Sequence, residues 1–177
     1  MRLASEGNLI VYPLIVIFGI TFAFNYLTEF DILFIQIIIF VVLVFCLNFF
    51  RDPSRVIPKN KNLIISPADG KIIKIKEFED PESGKKLKLI SIFLSVFNVH
   101  ANRMPVDGEF INVKYVKGDF LAAFDHRASE KNERMEISID TEFGVIVVKQ
   151  IAGLVARRIL CYAKKGKKML KKFTNLV

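Results

Sequence analysis

The sequence predicts a mainly β protein, a membrane-embedded helical hairpin followed by a compact antiparallel β domain. Three observations predict it. Two uncharged apolar stretches, Leu9 to Leu27 and Ile32 to Phe50, fill the N-terminal third. From Arg51 onward the apolar period shortens to that of strands. Short polar, glycine-bearing segments then separate the strands at hairpin spacing. The expected domains are the hairpin over 1–50, with helices at 9–27 and 32–50, and a β-rich domain over 51–177.

The hairpin comes first. LIVYPLIVIFGITFAFNYL and ILFIQIIIFVVLVFCLNFF each run nineteen residues without a charge. At 1.5 Å per residue that is about 28 Å, close to the hydrocarbon thickness of a bilayer. A cleaved signal peptide fits poorly, because the first run is too long, weakly basic at its start and followed by no small-residue cleavage site. The connector Thr28-Glu29-Phe30-Asp31 is acidic, whereas Arg51, Arg55, Lys59 and Lys61 crowd after the second run and Arg2 precedes the first. The positive-inside tendency puts both ends in the cytoplasm. A hairpin buried in a soluble core would need polypeptide to wrap it, and the remaining 127 residues look unable to do so.

The strands follow in order. Lys71 to Phe78 and Leu87 to Ser95 read as a pair joined by a turn at 82–86. Val106-Asp107-Gly108 precedes an extended run, Glu109 to Val116. Met135 to Asp140 and Val145 to Gln150 flank Thr141-Glu142-Phe143-Gly144, a hairpin turn. Phe120 to Asn132 reads as either a short helix or a loop.

Charge is spread unevenly. The chain carries +8, yet residues 1–50 hold only Arg2 against Glu6, Glu29 and Asp31. Eight cations lie between Arg157 and Lys172. A nucleic-acid partner is not expected, because no aromatic stacking platform accompanies these lysines. Cys46 and Cys161 offer no disulfide framework or ligand spacing, and with only His100 and His126 besides, no metal site is expected.

Three stretches carry chemistry-bearing residues. Ser66-Pro67-Ala68-Asp69-Gly70 is by itself a turn, and Asp69 gains a role only if a partner waits across a cleft. In Phe97-Asn98-Val99-His100-Ala101-Asn102-Arg103-Met104-Pro105, an extended backbone would put Asn98, His100 and Asn102 on one face. In Gln150-Ile151-Ala152-Gly153-Leu154-Val155-Ala156-Arg157-Arg158, Gly153 permits close backbone approach and the paired arginines suit a phosphate. Solvated cations beside a membrane are the plainer alternative for Arg157 and Arg158.

Taken together with FFRDPSR at 49–55 and NER at 132–134, these stretches resemble the short, membrane-attached bacterial phosphatidylserine decarboxylase proenzymes. The resemblance covers nearly the whole chain. It implies a lyase of phospholipid biosynthesis that converts phosphatidylserine to phosphatidylethanolamine and CO2 on the cytoplasmic face of the inner membrane. It implies a self-generated pyruvoyl cofactor, formed when a serine after a glycine attacks the preceding carbonyl, and a Schiff base between that group and the substrate amine. It assigns Asp69 to serine activation and His100 to decarboxylation, with Asn98, Arg103, Arg157 and Arg158 as substrate-binding candidates.

The sequence departs from the family pattern in two places. Where longer relatives carry a second histidine three residues after the first, this chain has Arg103. His126 is a stand-in base outside any motif. Near Lys171 the pattern is lost, and no Gly-Ser dipeptide occurs among the 177 residues. The pyruvoyl-forming serine is therefore expected to be absent, the domain C-terminally incomplete and the chain inactive alone. A small pyruvoyl-bearing chain or a homo-oligomer is the implied protein partner. A non-catalytic anchor that binds anionic lipid through the basic C-terminal segment is the alternative from another class.

Overall fold

The computed structural model describes residues 2–28, 30–56, 58–60, 62–80, 84–122, 125 and 127–169. The chain divides into two units, residues 1–54 and 55–177. His126, part of the turn expected at 82–86 and the basic tail from residue 170 lie outside the described residues.

In the first unit a 3-10 turn, Ser5–Gly7, runs into helix α1, Asn8–Leu27. The 23 residues Ser5–Leu27 are long and apolar enough to cross a membrane. Helix α2, Leu33–Phe49, has 17 residues, or about 25 Å, and is shorter than a typical hydrocarbon core. It starts late because the turn's polar groups take the amides that would extend it. Ile32 N donates to Asn25 Oδ1 at 3.0 Å, and Leu33 N donates to Asp31 Oδ1 at 2.9 Å. Phe18 packs on Phe40 between the helices, with ring centroids 5.9 Å apart. Outside that seam both helices show apolar side chains to their surroundings, as helices in lipid do.

The hairpin ends are stapled in a way its periodicity does not announce. Strand β1, Arg2–Leu3, pairs antiparallel with β2, Arg51–Asp52, and Ala4 N donates to Phe50 O at 2.8 Å. A Cβ on Gly7 would lie 2.6 Å from Phe50 Cβ, so the close approach requires glycine.

The second unit holds two antiparallel sheets. Strands β3, Lys71–Glu79, and β4, Lys86–Phe93, form a two-stranded ribbon with a bulge between Ile72 and Lys74. Strands β5, Gly108–Val116, β6, Arg134–Thr141, β7, Gly144–Ile151, and β8, Lys168–Met169, form a sheet in the order β7-β6-β5-β8. The β6–β7 turn falls where expected, with Gly144 at φ 97° and the Thr141 hydroxyl accepting from Phe143 N. Alternation aims Phe110, Ile137 and Ile139 to one face, where Met104 and Ala163 complete the buried core. Cys161 packs against that core, and burial pushes its thiol pKa up, away from reactivity.

The segment between β5 and β6 holds a single helical turn, α3, Ala128–Lys131, and is tied down by Asn132. This amide is 1% exposed. Its Oδ1 accepts from Leu121 N at 2.8 Å, and its Nδ2 donates to Leu121 O at 2.9 Å and to Ala152 O at 2.8 Å. A Cβ on Gly118 would meet Lys131 O at 2.2 Å, so the loop also depends on a bare backbone there. Asn132→Ala strands one buried and two partly buried backbone groups and should cost about 2–5 kcal/mol. Urea unfolding in detergent micelles, read from the tyrosine signal, would register it as a lower midpoint with an unchanged slope.

Candidate active site

The site is built where β4 ends. The strand stops at Phe93 instead of the expected Ser95 because Asn98 claims the next residues. Its Oδ1 accepts from both Ser95 N and Ser95 Oγ at 2.8 Å, while Asn98 N donates to Ser95 O at 2.9 Å. A side chain that satisfies nearby backbone competes with strand pairing. The chain therefore turns at 95–98, and the shared face expected of Asn98, His100 and Asn102 from strand alternation does not form. Asn98 Oδ1 holds the turn.

After the turn, Val99, Met104 and Val106 are buried and fix the path of the intervening polar residues. Two backbone hydrogen bonds then join this path to the aspartate turn. Arg103 N donates to Pro67 O at 2.8 Å, and Ile65 N donates to Pro105 O at 2.9 Å. On the other flank, a Cβ on Gly70 would lie 2.4 Å from Phe93 O, so only glycine lets the turn pass β4 this closely. Ser66 to Gly70 and His100 to Pro105, 30 or more residues apart in sequence, thus lie side by side.

Within this arrangement Asp69 forms an ion pair with Arg55, both groups half-exposed. Arg55 belongs to the FFRDPSR stretch, read in the sequence as a topological charge and a family motif but not as a site residue. His100 is partly buried, with Nδ1 3.1 Å from Asn98 O. A carbonyl only accepts, so in this contact Nδ1 carries a proton and donates it.

The third stretch is tied to NER. Ala152 N donates to Glu133 O at 2.9 Å, alongside the Asn132 bond to Ala152 O. Gly153 N donates to Ala156 O at 2.9 Å, closing a turn that leads to the paired arginines. Arg157 Nε donates to Leu154 O at 3.0 Å, and its guanidinium sits 5.5 Å from the Phe120 ring centroid. Arg157 and Arg158 are both exposed.

One polar group was missed in the sequence. Gln150 is 6% exposed, and neither its Nε2 nor its Oε1 has a hydrogen-bond partner among the described residues. Asn102 Oδ1 is likewise buried without one. A signal for Gln150 existed, since it continues the inward row Ile146, Val148 along β7. A separate cleft of about 410 Å³ lies between the start of β5 and the end of β6, lined by Asp107, Glu109, Asp140, Glu142 and Lys168. It contains none of the sequence-predicted site residues.

On the sheet face opposite the core, Glu136 accepts from Arg134 Nε at 2.7 Å and faces Lys149 Nζ at 3.5 Å. The hydrogen bond from Arg134, helped by the charge of Lys149, holds this carboxyl below the ordinary glutamate value of 4.5. Its contribution to stability is thus present above pH 4.5 and is lost as pH falls through the depressed folded value. Acid titration of the unfolding midpoint should show this loss in the wild-type chain, and Glu136→Gln should remove that part of the pH dependence.

The phosphatidylserine decarboxylase family model matches residues 42–172, most of the chain. The chain belongs to the phosphatidylserine decarboxylase family. It is 50% identical over 127 residues to the phosphatidylserine decarboxylase proenzyme of Chlorobaculum tepidum, covering 72% of this chain and 59% of the relative. With the proenzyme of Wolbachia pipientis wMel it shares 54% identity over 122 residues, 66% of this chain and 53% of the relative. With that of Geobacter sp. strain M21 it shares 46% over 128 residues, 72% and 58% respectively. The chain thus spans little more than half the length of these curated relatives.

Proposed function

We propose that the chain serves the decarboxylation of phosphatidylserine to phosphatidylethanolamine and CO2, with Asp69 and His100 as its acting side chains. The observation that carries this reading is the pair of backbone hydrogen bonds between segments 65–67 and 103–105. They give the aspartate turn and the histidine segment a common frame, which acid–base chemistry on one substrate requires. His100, with Nδ1 donating to Asn98 O, is assigned proton exchange at Nε2. Arg55 orients the Asp69 carboxylate. Arg157 and Arg158, and Arg103 beside the clasp, are assigned to the substrate's phosphate and carboxylate.

The pyruvoyl group that this reading implies does not fit the residues present. None of the eight serines follows a glycine, so no step through that group is derived. Its serine is assigned to polypeptide beyond these 177 residues, either continuous with them or a separate small chain. A homo-oligomer is compatible with either source. The α1 helix anchors the protein in the bacterial inner membrane, and the cations following α2 put the β unit on the cytoplasmic side.

Residues 1–177 reconstituted alone in phosphatidylserine nanodiscs should release no CO2. Co-expression with a relative's C-terminal segment carrying a Gly-Ser dipeptide should yield a cleaved segment and CO2 release. In that assembly Asp69→Asn should block cleavage, whereas His100→Ala should leave cleavage intact and lower release by about 100-fold or more. CO2 release by residues 1–177 alone, or full activity of the His100 variant, would overturn the reading.

A further inference from the structure

The β3–β4 ribbon separates its charges by face. The cross-strand register sets Lys71 opposite Phe93, Lys74 opposite Ser91, Lys76 opposite Leu89 and Phe78 opposite Leu87. Directly paired residues share a face, so one side carries a row of three lysines beside a row of Leu87, Leu89 and Phe93. The bulge at Ile73 keeps Lys71 in the same row as Lys74 and Lys76. Both carboxylates of these strands, Glu77 and Glu79, point to the other face, opposite Lys88 and Lys86. Lys88 pairs with Glu77 at 3.2 Å. The second face is thereby neutral, whereas the first carries three cations with no ion-pair partner among the described residues.

That cationic face is also wet. The three lysines are exposed, and Leu87, Leu89, Phe78 and Phe93 remain 37–41% exposed. The ribbon's closest backbone contacts are between its own two strands. Lysines beside half-exposed leucine and phenylalanine match an anionic bilayer surface in two respects. The ammonium groups reach phosphates, and the apolar row meets the headgroup–acyl boundary. A protein partner of ordinary composition would bring its own carboxylates to satisfy such a row, but this chain also carries a helix long and apolar enough to cross a membrane, which favours lipid as the occupant.

We propose that the Lys71, Lys74 and Lys76 face of the β3–β4 ribbon docks on an anionic phospholipid surface. This goes beyond the decarboxylation reading and holds whether or not the chain turns substrate over. The test is lysine footprinting of the full chain by limiting acetylation and mass spectrometry. The chain is held in nanodiscs of phosphatidylcholine alone, or of phosphatidylcholine and phosphatidylglycerol in equal parts. In the anionic discs, labelling of Lys71, Lys74 and Lys76 should fall roughly fivefold, the factor expected for one lysine's attraction to an anionic leaflet. Lys88 and Lys114 should be unchanged, and 1 M salt, which shortens screening to about 3 Å, should restore labelling. Amide exchange across Leu87 to Phe93 should slow in anionic discs for the wild type but not for K71Q/K74Q/K76Q. Equal labelling in both discs, protection of Lys88 instead, or protection in neutral discs that grows with protein concentration would each overturn the proposal. The last outcome would identify a protein as the occupant.

Discussion

Two backbone hydrogen bonds, from Arg103 N to Pro67 O and from Ile65 N to Pro105 O, carry more of this structure than their number suggests. They fasten an exposed turn to a segment whose other residues are sunk into the core at Val99, Met104 and Val106. The turn has no core of its own, since Ser66 to Gly70 bury little. Its position is therefore borrowed from Met104, which packs with Phe110, Ile137 and Ile139. A core contact thus determines where Asp69 stands relative to His100, and rigid support of this kind is what a reactive constellation needs. The Arg55 ion pair acts after that. It aims a carboxylate whose backbone the clasp has already positioned.

A second joint, at Asn132, does for the other motifs what the clasp does for these. Its amide ties the loop at Leu121 to the chain at Ala152, and Ala152 N closes the circuit on Glu133 O. Arg157 is consequently held near Phe120 by a chain of bonds beginning at a fully buried amide, although its own guanidinium is exposed. Gly70, in one family motif, and Asn132, in another, act in this sense as joints, and Gly118 lets the loop between them pass close to Lys131 O.

The strands were legible because alternation is a local property. The runs 109–116, 135–140 and 145–150 read as extended from their pattern, and the β6–β7 turn falls at 141–144 where Gly144 takes a positive φ. What could not be read depends on side chains meeting backbone far away or out of register. The early end of β4 is an Asn98 effect that hydrophobic period does not record. The β1–β2 staple joins residues 48 and 50 apart, and β8 is two residues of a lysine-rich run with no strand signature. In the site, family motifs led to Asp69 and His100, but not to Arg55 as the partner of Asp69. Arg55, the second arginine in FFRDPSR, gives no local sign of the carboxylate it meets 14 residues on.

Burial divides the β unit unequally. Phe110, Met104, Ile137 and Ile139 are fully shielded by the described residues themselves. The neighbourhood of the motifs is different, because Gln150 and Asn102 bury polar atoms that the described residues do not satisfy. Leaving such groups unpaired costs more than leaving them exposed, so they favour whatever polar group arrives to meet them. Order in this family member is thus divided unequally. The sheet is self-sufficient, while the region holding Gln150, Asn102 and the clasp gains stability from a polar partner. A polar group arriving at Gln150 or Asn102 would add hydrogen bonds where the described residues lack them, without disturbing the apolar core.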